Sequence, residues 1–174
     1  IIKLVTTIEE TDEWGLDHGA WPMLMHLFPA ADVPVFQMSI NYNAQPEYHF
    51  NMGQQLKSLR EKGVLVIGSG SLIHNLSLVM QKMRTGDRSI FGWETEYDAW
   101  LKQQIEARNF KDLTNYLTSH KLGKLASPTP DHYVPLLYSL GMMDTKDKLD
   151  FFYEATPTIP AFSERSFIIQ PENS

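Results

Sequence analysis

The stretch Val64 to Leu76, VLVIGSGSLIHNL, decides the fold expected of this chain of 174 residues. It opens with a short apolar run, rich in β-branched residues and bounded by Gly63 and Gly68, which predicts a buried strand rather than a helix. The strand leads through the small residues GSGS to His74. Ligands bind at the carboxyl ends of strands in open α/β sheets, so His74 is a candidate site residue. The alternative is that GSGS only turns the chain and His74 packs locally.

Strand and helix patterns alternate from the start of the chain up to this stretch, and that alternation is typical of an α/β fold. We therefore predict a mixed central sheet flanked by helices, in one domain. The predicted strands are Ile1–Thr6, Val33–Ile40, the central run at Val64, and two closing antiparallel strands at Leu149–Ala155 and Ser166–Gln170. The predicted helices are Ala20–Phe28, Pro46–Lys62, Trp93–Arg108, Asn109–His120 and Pro130–Leu140, with a linker at Leu122–Ala126.

Composition excludes several classes of protein. A hydrophobic content of 43% and a charged content of 21% are typical of a soluble globular domain. The net charge of −6 argues against nucleic acid or an anionic membrane surface as the main partner. The absence of cysteine excludes disulfides, thiolate metal sites and a cysteine nucleophile, and is compatible with the cytoplasm. No apolar run reaches the ~20 residues that span a bilayer.

Three of the six histidines lie at boundaries marked by glycine or proline, where sites tend to be built. They are His18 in WGLDHGAW, His74 in the central stretch, and His132 in SPTPDHY. Thr129 and Pro130 predict a helix start with His132 in the first turn. Neutral imidazole suits zinc, iron, copper or nickel, but the spacing is not that of a tight metal motif. Local hydrogen bonding of His18, and an incidental histidine in a helix-capping motif for His132, remain alternatives.

The serines and glycines after the central strand do not indicate hydrolase or phosphate chemistry. GSGS is not the GxSxG nucleophile elbow, and the sequence has neither a P-loop nor a complete GxGxxG fingerprint. The histidines are therefore the residues that carry the chemical argument.

The segments WGLDHGAW, VPVFQMSI, GSGSLIHNL and SPTPDHYVPLLYSLG, in this order, resemble the 4,5-DOPA extradiol dioxygenase family. This is a branch of the class III, LigB-type, extradiol ring-cleavage dioxygenases. The resemblance runs from about Val5 to the C-terminal strands and matches the C-terminal two-thirds of a family member. It implies a LigB-like fold in which residues 1–174 form the C-terminal part of a single catalytic domain. It also implies a cytoplasmic non-haem Fe(II) oxidoreductase that opens a DOPA-like catechol ring with O2.

The resemblance implies a role for each of the three histidines. His132, in PTPDHY, matches a metal ligand. His74, in HNL, matches a position that is either a metal ligand or the nearby acid/base histidine, and a group that titrates near neutral pH suits the second role. His18, in DHG, matches a pocket histidine that contacts substrate oxygen or bound O2. The implied partners are an aromatic diol and O2, and zinc often occupies the iron site in the family.

The sequence departs from the family at two segments. HGSP-type and SAHW-type segments contribute two metal histidines in family members, and neither occurs here. The chain also opens at Ile1 rather than at a methionine. We therefore expect the N-terminal portion of the domain to be supplied elsewhere, in the same polypeptide or by a second chain. The alternative function is a non-catalytic remnant of the fold that binds a small ligand or a partner.

Overall fold

The computed structural model describes residues 8–172, so the strand predicted over Ile1–Thr6 lies outside the described residues. The described part is mainly helical, with one two-stranded sheet. Its helices are α1 (Trp21–Leu27), α2 (Pro46–Leu56), a 3-10 helix (Lys57–Lys62), α3 (Leu76–Thr85), α4 (Trp93–Glu106), α5 (Phe110–Thr114), α6 (Tyr116–Ser119), α7 (Gly123–Ala126) and α8 (Val134–Gly141). Its strands are β1 (Lys148–Tyr153) and β2 (Ser166–Gln170). No helix in residues 8–172 is long and apolar enough to cross a membrane.

Helix boundaries follow the capping signals of the sequence in several places. α2 begins at Pro46, whose missing N–H costs nothing in a first turn. The 3-10 helix that continues α2 ends at Gly63, which takes a φ of 72° that favours glycine. The side chain of Asn75 accepts a hydrogen bond from the backbone N–H of Leu78 and caps α3. The helices predicted over Ala20–Phe28, Pro46–Lys62 and Trp93–Arg108 are confirmed. They correspond to α1, to α2 with its 3-10 continuation, and to α4.

The two central strands predicted at Val33–Ile40 and at Val64–Ile67 are wrong for the described residues. Neither segment is assigned to a strand, and the side chains of Phe36 and Leu65 are 59% and 65% exposed. A β-branched apolar pattern indicates a preference for strand conformation, but a strand also needs a neighbouring backbone to pair with. Residues 8–172 therefore do not form the predicted mixed central sheet.

The closing strands are confirmed. β1 and β2 pair antiparallel, with Leu149 opposite Ile169, and the register shifts between Asp150 and Tyr153. They form the one sheet found within the described part of the chain.

Three predictions in the C-terminal half are corrected. The helix predicted over Asn109–His120 is two short helices, which break at Asn115. The linker predicted at Leu122–Ala126 contains α7. The last predicted helix begins at Val134 instead of Pro130.

The late start of α8 has a local cause. Pro135 lies near the helix start and has no N–H to donate to the carbonyl four residues earlier, so residues 131–133 form a turn instead. His132 consequently lies in the turn before α8 and not in its first helical turn.

α8 is the central helix of the packing. Its two sides contribute to two apolar clusters, one shared with α4 and the turns around it and one shared with α2. The backbones of α2 and α8 touch directly: a Cβ atom added at Gly53 would lie 2.3 Å from the carbonyl oxygen of Tyr138, and one at Gly141 would lie 2.2 Å from that of Phe50. This contact fixes α8, and with it the turn that carries His132.

Candidate functional site

The structure brings His74 and His132 together. Their imidazole rings stack face to face, with centroids 3.5 Å apart and an angle of 20° between the ring planes. His74 is buried, with 8% of its surface exposed, whereas the His132 side chain is 40% exposed. One ring is therefore held in the protein interior while the other faces an opening.

The GSGS loop explains how two residues so far apart in sequence meet. A Cβ atom added at Gly70 would lie 2.2 Å from the carbonyl oxygen of His132, and one at Gly68 would lie 2.7 Å from that of Pro135. The N–H of Ser71 donates to the same His132 oxygen at 2.9 Å. Glycine is required here because the loop lies directly against the backbone that leads into α8. The loop therefore does more than turn the chain, since it joins the two histidine segments.

A pocket of about 300 Å³ opens in front of the two rings. This volume is at the small end of the range for small-molecule sites. The lining residues come from three parts of the chain: Tyr42, His74–Ser77, Pro128, Thr129, Asp131 and His132. Sequence reasoning missed Tyr42, which lies in a polar turn without a motif. It also missed Asp131, although its position next to His132 was a usable signal.

The electrostatics of the pocket favour a neutral His74. Burial lowers the pKa of His74, and the neighbouring His132 lowers it further, while Asp131 acts in the opposite direction. Oδ2 of Asp131 lies 3.5 Å from Nε2 of His132. The other carboxylate oxygen, Oδ1, is buried without a hydrogen-bond partner among the described residues. The pocket thus combines an imidazole whose neutral form is favoured with a carboxylate that has one buried oxygen without a hydrogen-bond partner among the described residues.

The main chain holds His74 from two sides. Its N–H donates to the carbonyl oxygen of Ala126 at 2.8 Å. On the other side, His74 forms an isolated antiparallel bridge with Phe162, whose ring meets the His74 imidazole edge-on at 5.7 Å.

His18 is not among the residues that line this pocket. It is exposed, and its ring lies 6.0 Å from that of Trp21. Its loop is nevertheless fixed: Ser69 of the GSGS loop donates to the carbonyl oxygen of Gly19 at 2.6 Å. The structure therefore joins the loop of His18 to the site but does not place its imidazole in the pocket.

The neighbouring Asp17 fixes the same loop from another direction. Its N–H donates to Oε1 of Gln37, and Nε2 of Gln37 donates back to the Asp17 carboxylate, each at 2.9 Å. This pair ties the loop of His18 to the extended segment 33–40.

The donor atoms in the pocket are of the kind that iron or zinc accepts, but their arrangement does not complete a metal site. Imidazole and carboxylate groups are common ligands of both metals. The lone pair with which a neutral imidazole binds a metal lies in the plane of its ring. Two stacked rings therefore direct their lone pairs side by side instead of at one point. Within residues 8–172, no cluster of three or more histidine, aspartate or glutamate side chains has the geometry to hold a metal ion. The described residues do not form the expected metal site by themselves.

The chain resembles one well-defined family. The family model described as the catalytic LigB subunit of aromatic ring-opening dioxygenase matches residues 2–162. A protein named 4,5-DOPA dioxygenase extradiol from Escherichia coli (strain K12) is 36% identical over 155 residues, which are 86% of this chain and 56% of that protein. The protein of the same name from Beta vulgaris is 33% identical over 141 residues, 81% of this chain and 51% of that protein.

A solved structure agrees with these sequence matches. The crystal structure of an uncharacterized protein from Escherichia coli K12 superposes with a TM-score of 0.80 at 34% identity, over 95% of this chain and 68% of that one. The chain spans about half the length of the 4,5-DOPA dioxygenases from Escherichia coli and Beta vulgaris.

Proposed function

Because the chain belongs to the LigB family of aromatic ring-opening dioxygenases, we propose that it is part of an extradiol dioxygenase that opens a catechol-type, DOPA-like ring with O2. The observation that carries the proposal is the convergence of His74, His132 and Asp131 in one pocket. Residues from distant parts of the sequence converge there, as expected of a site and not of a capping motif.

The roles of the three histidines are part of the proposal. His132, the more exposed imidazole of the pair, is a metal ligand. His74 is either a second ligand or the group that takes a proton from a catechol hydroxyl. Burial lowers the pKa of His74 and favours the neutral ring that both roles need, while ligation of one metal together with His132 requires the two rings to leave their stacked arrangement. The role proposed for His18 is contact with substrate oxygen or O2; its imidazole does not line the pocket, but its loop is tied to the GSGS loop through Gly19.

The proposed cofactor is Fe(II), with zinc as the common substitute. Further ligands are needed, since no group of three or more donor side chains within residues 8–172 has the geometry to hold a metal ion. We propose that they come from polypeptide outside the described residues, in the same chain or in a second one. The parts of the 4,5-DOPA dioxygenases that this chain does not cover are the natural source of such a segment.

A second candidate is a non-catalytic module that binds a small aromatic ligand or a partner in the same pocket. The stacked geometry of the two imidazoles supports it, because that geometry does not direct their nitrogens at one point. This candidate predicts binding that does not depend on metal.

The test is His132→Ala in the protein purified at its natural length. The dioxygenase proposal predicts that catechol-dependent O2 uptake and iron retention are both lost, because a ligand has been removed. Uptake is measured with an oxygen electrode, and iron by elemental analysis. His26→Ala, an exposed histidine on α1, is the matched control and is expected to keep both properties.

Full O2 uptake in His132→Ala would exclude the proposed role of His132. Catechol binding that survives metal removal, without any O2 uptake in the unsubstituted protein, would favour the binding module.

A further inference from the structure

The geometry points to Glu94 and Asp98 of α4 as positioning residues for His74. The two carboxylates are one helical turn apart, both are buried, and they hold the short segment Ala161–Ser163 against the backbone of His74. This inference rests on the proposed function in one respect, namely that His74 is the residue whose position matters for the reaction.

Glu94 holds the first residue of that segment. Its side chain is fully buried, and Oε1 accepts hydrogen bonds from the N–H groups of Phe91 at 3.0 Å and Ala161 at 2.8 Å. Ala161 has a φ of 53°, a conformation that residues with a Cβ rarely adopt. A non-glycine residue stays in this region when its surroundings determine the backbone. The bond from Glu94 is one such determinant.

Asp98 holds the last residue of the segment. Its Oδ1 accepts from the hydroxyl of Ser163 at 2.8 Å. The guanidinium of Arg165 also binds the Asp98 carboxylate, which compensates its buried charge. An acid on α4 therefore secures each end of the three-residue segment.

The segment Ala161–Ser163 is hydrogen-bonded to the residues on both sides of His74. The N–H of Asn75 donates to the carbonyl oxygen of Ala161 at 3.1 Å, and the N–H of Ser163 donates to that of Ile73 at 3.2 Å. These two bonds form the antiparallel bridge in which Phe162 lies opposite His74.

The consequence for His74 is lateral restraint of its ring. The imidazole contacts two other rings, that of Phe162 edge-on at 5.7 Å and that of His132 stacked at 3.5 Å. A shift of the segment would move Phe162 and leave the His74 ring free to tilt. A misplacement of about 1 Å at a reacting group can cost up to about 100-fold in rate, so restraint of this kind has catalytic value.

The experiment compares Glu94→Ala, Glu94→Gln and Glu96→Ala in the full protein. Glu94→Gln keeps an Oε1 acceptor for Ala161, whereas Glu94→Ala removes it. Glu96 lies on the same helix, is about half exposed and pairs with Lys121, so Glu96→Ala is the matched control. The readouts are the NMR signals of the His74 ring protons, assigned by their loss in His74→Gln, and the kcat and KM for catechol.

Positioning predicts a specific pattern. In Glu94→Ala, the His74 signals move because the ring-current shifts from Phe162 and His132 change, and kcat falls by about tenfold or more while KM changes little. Glu94→Gln restores the signals and most of kcat, and Glu96→Ala changes neither. A Glu94→Ala protein that melts earlier but keeps its His74 signals and kcat would overturn the inference, since Glu94 would then only anchor the fold.

Two further results keep the inference separate from folding and from the proposed function. If Glu94→Ala does not fold, Ser163→Ala removes one hydroxyl bond to Asp98, and unchanged His74 signals in that variant would overturn the inference. If the unsubstituted protein opens no catechol, the proposed function fails, and the His74 signals still decide whether the two carboxylates position this ring.

Discussion

His49 of α2 is a titratable side chain placed in the contact between two helices. It is fully buried, and its Nδ1 lies 3.1 Å from the hydroxyl oxygen of Tyr138 on α8, with Tyr48 packed edge-on against the ring. Burial lowers the pKa of His49, against a smaller opposing effect from the backbone at Ala44. Burial also raises the pKa of Tyr138 to about 12, so this hydroxyl stays neutral. The ring of His49 is therefore held in its uncharged form.

This burial makes the stability of the protein depend on pH in a defined direction. The unfolded chain protonates His49 near its ordinary pKa of about 6.5, while the folded protein resists protonation to lower pH. Between these values the unfolded state binds more protons, so the free energy of unfolding decreases as the pH falls through about 6.5.

We expect His49→Gln to remove this part of the pH dependence. The free energy of unfolding is measured by urea denaturation from about pH 7.5 to about pH 5.5. The difference between the unsubstituted protein and His49→Gln should shrink toward the acid end. His26→Gln, which changes an exposed histidine, should leave the profile unaltered. A constant difference across the range would show that His49 titrates normally.

Local sequence signals predicted the two histidines that line the pocket. His74 and His132 were predictable because glycine and proline mark the boundaries at which they lie. Tyr42 was not, because it joins the pocket through tertiary packing, and the signal for Asp131 was its position next to His132. The role of Gly70 was also hidden, since its backbone contact with His132 joins segments far apart in sequence.

α2 and α8 depend on glycine where they meet. The Cβ position of Gly53 lies 2.3 Å from a carbonyl oxygen of α8, and backbone cannot move aside as a flexible side chain can. The contact therefore sets the distance between these helices.

Gly53→Ala should destabilise the protein despite the better helix propensity of alanine. Overpacking of this kind costs about 1–3 kcal/mol, whereas Gln55→Ala on the exposed face of α2 should change stability by about 0.5 kcal/mol or less. Thermal and urea unfolding of both variants measure the difference. Equal stability of the two variants would contradict the close backbone contact.

Whether an element was predictable depended on where its hydrogen bonds form. α1, α2 and α4 form their backbone hydrogen bonds within the helix, so local sequence signals were sufficient to predict them. β1 and β2 pair with each other, and both lie within the described residues. The segments Val33–Ile40 and Val64–Ile67 have the composition of strands, but composition cannot supply the partner backbone that a ladder needs.

At the scale of the whole molecule, these two segments leave apolar side chains on the surface. Phe36 and Leu65 are more than half exposed, and Val35 is 44% exposed. Exposed extended backbone with apolar side chains is a template for pairing with another chain. We propose that strands from outside residues 8–172 cover these segments in the complete protein.

Residues 1–174 expressed alone should therefore self-associate. Replacing Phe36 and Leu65 together by lysine should reduce the association, because charge on an exposed edge opposes pairing. Met25→Lys, a substitution at an exposed apolar residue of α1, is the control and should have a smaller effect. Light scattering and sedimentation velocity measure the result. A monomer that stays soluble and unfolds cooperatively without these substitutions would count against uncovered edges.

Sequence and structure agree on the family, while the architecture of the described part differs from the prediction. The resemblance rests on WGLDHGAW, VPVFQMSI, GSGSLIHNL and SPTPDHYVPLLYSLG. The last two meet where His74 stacks on His132, and the first is tied to the GSGS loop through Gly19. The sheet was predicted from the alternation of strand and helix patterns, and residues 8–172 do not contain the pairing that would form it.

The segment Ala161–Ser163, which is hydrogen-bonded on both sides of His74, also determines when the pocket can fold during synthesis. Ile73 and Asn75 receive their hydrogen-bond partners from Ser163 and Ala161, which the ribosome adds almost ninety positions later. Contacts so distant in sequence form slowly and cannot form on a nascent chain that has not yet emerged. Earlier helices can assemble while translation continues, whereas the pocket takes shape only after residues 161–163 have emerged. A ribosome that stops before residue 161 would therefore leave a polypeptide with most of its helices and an unfinished site.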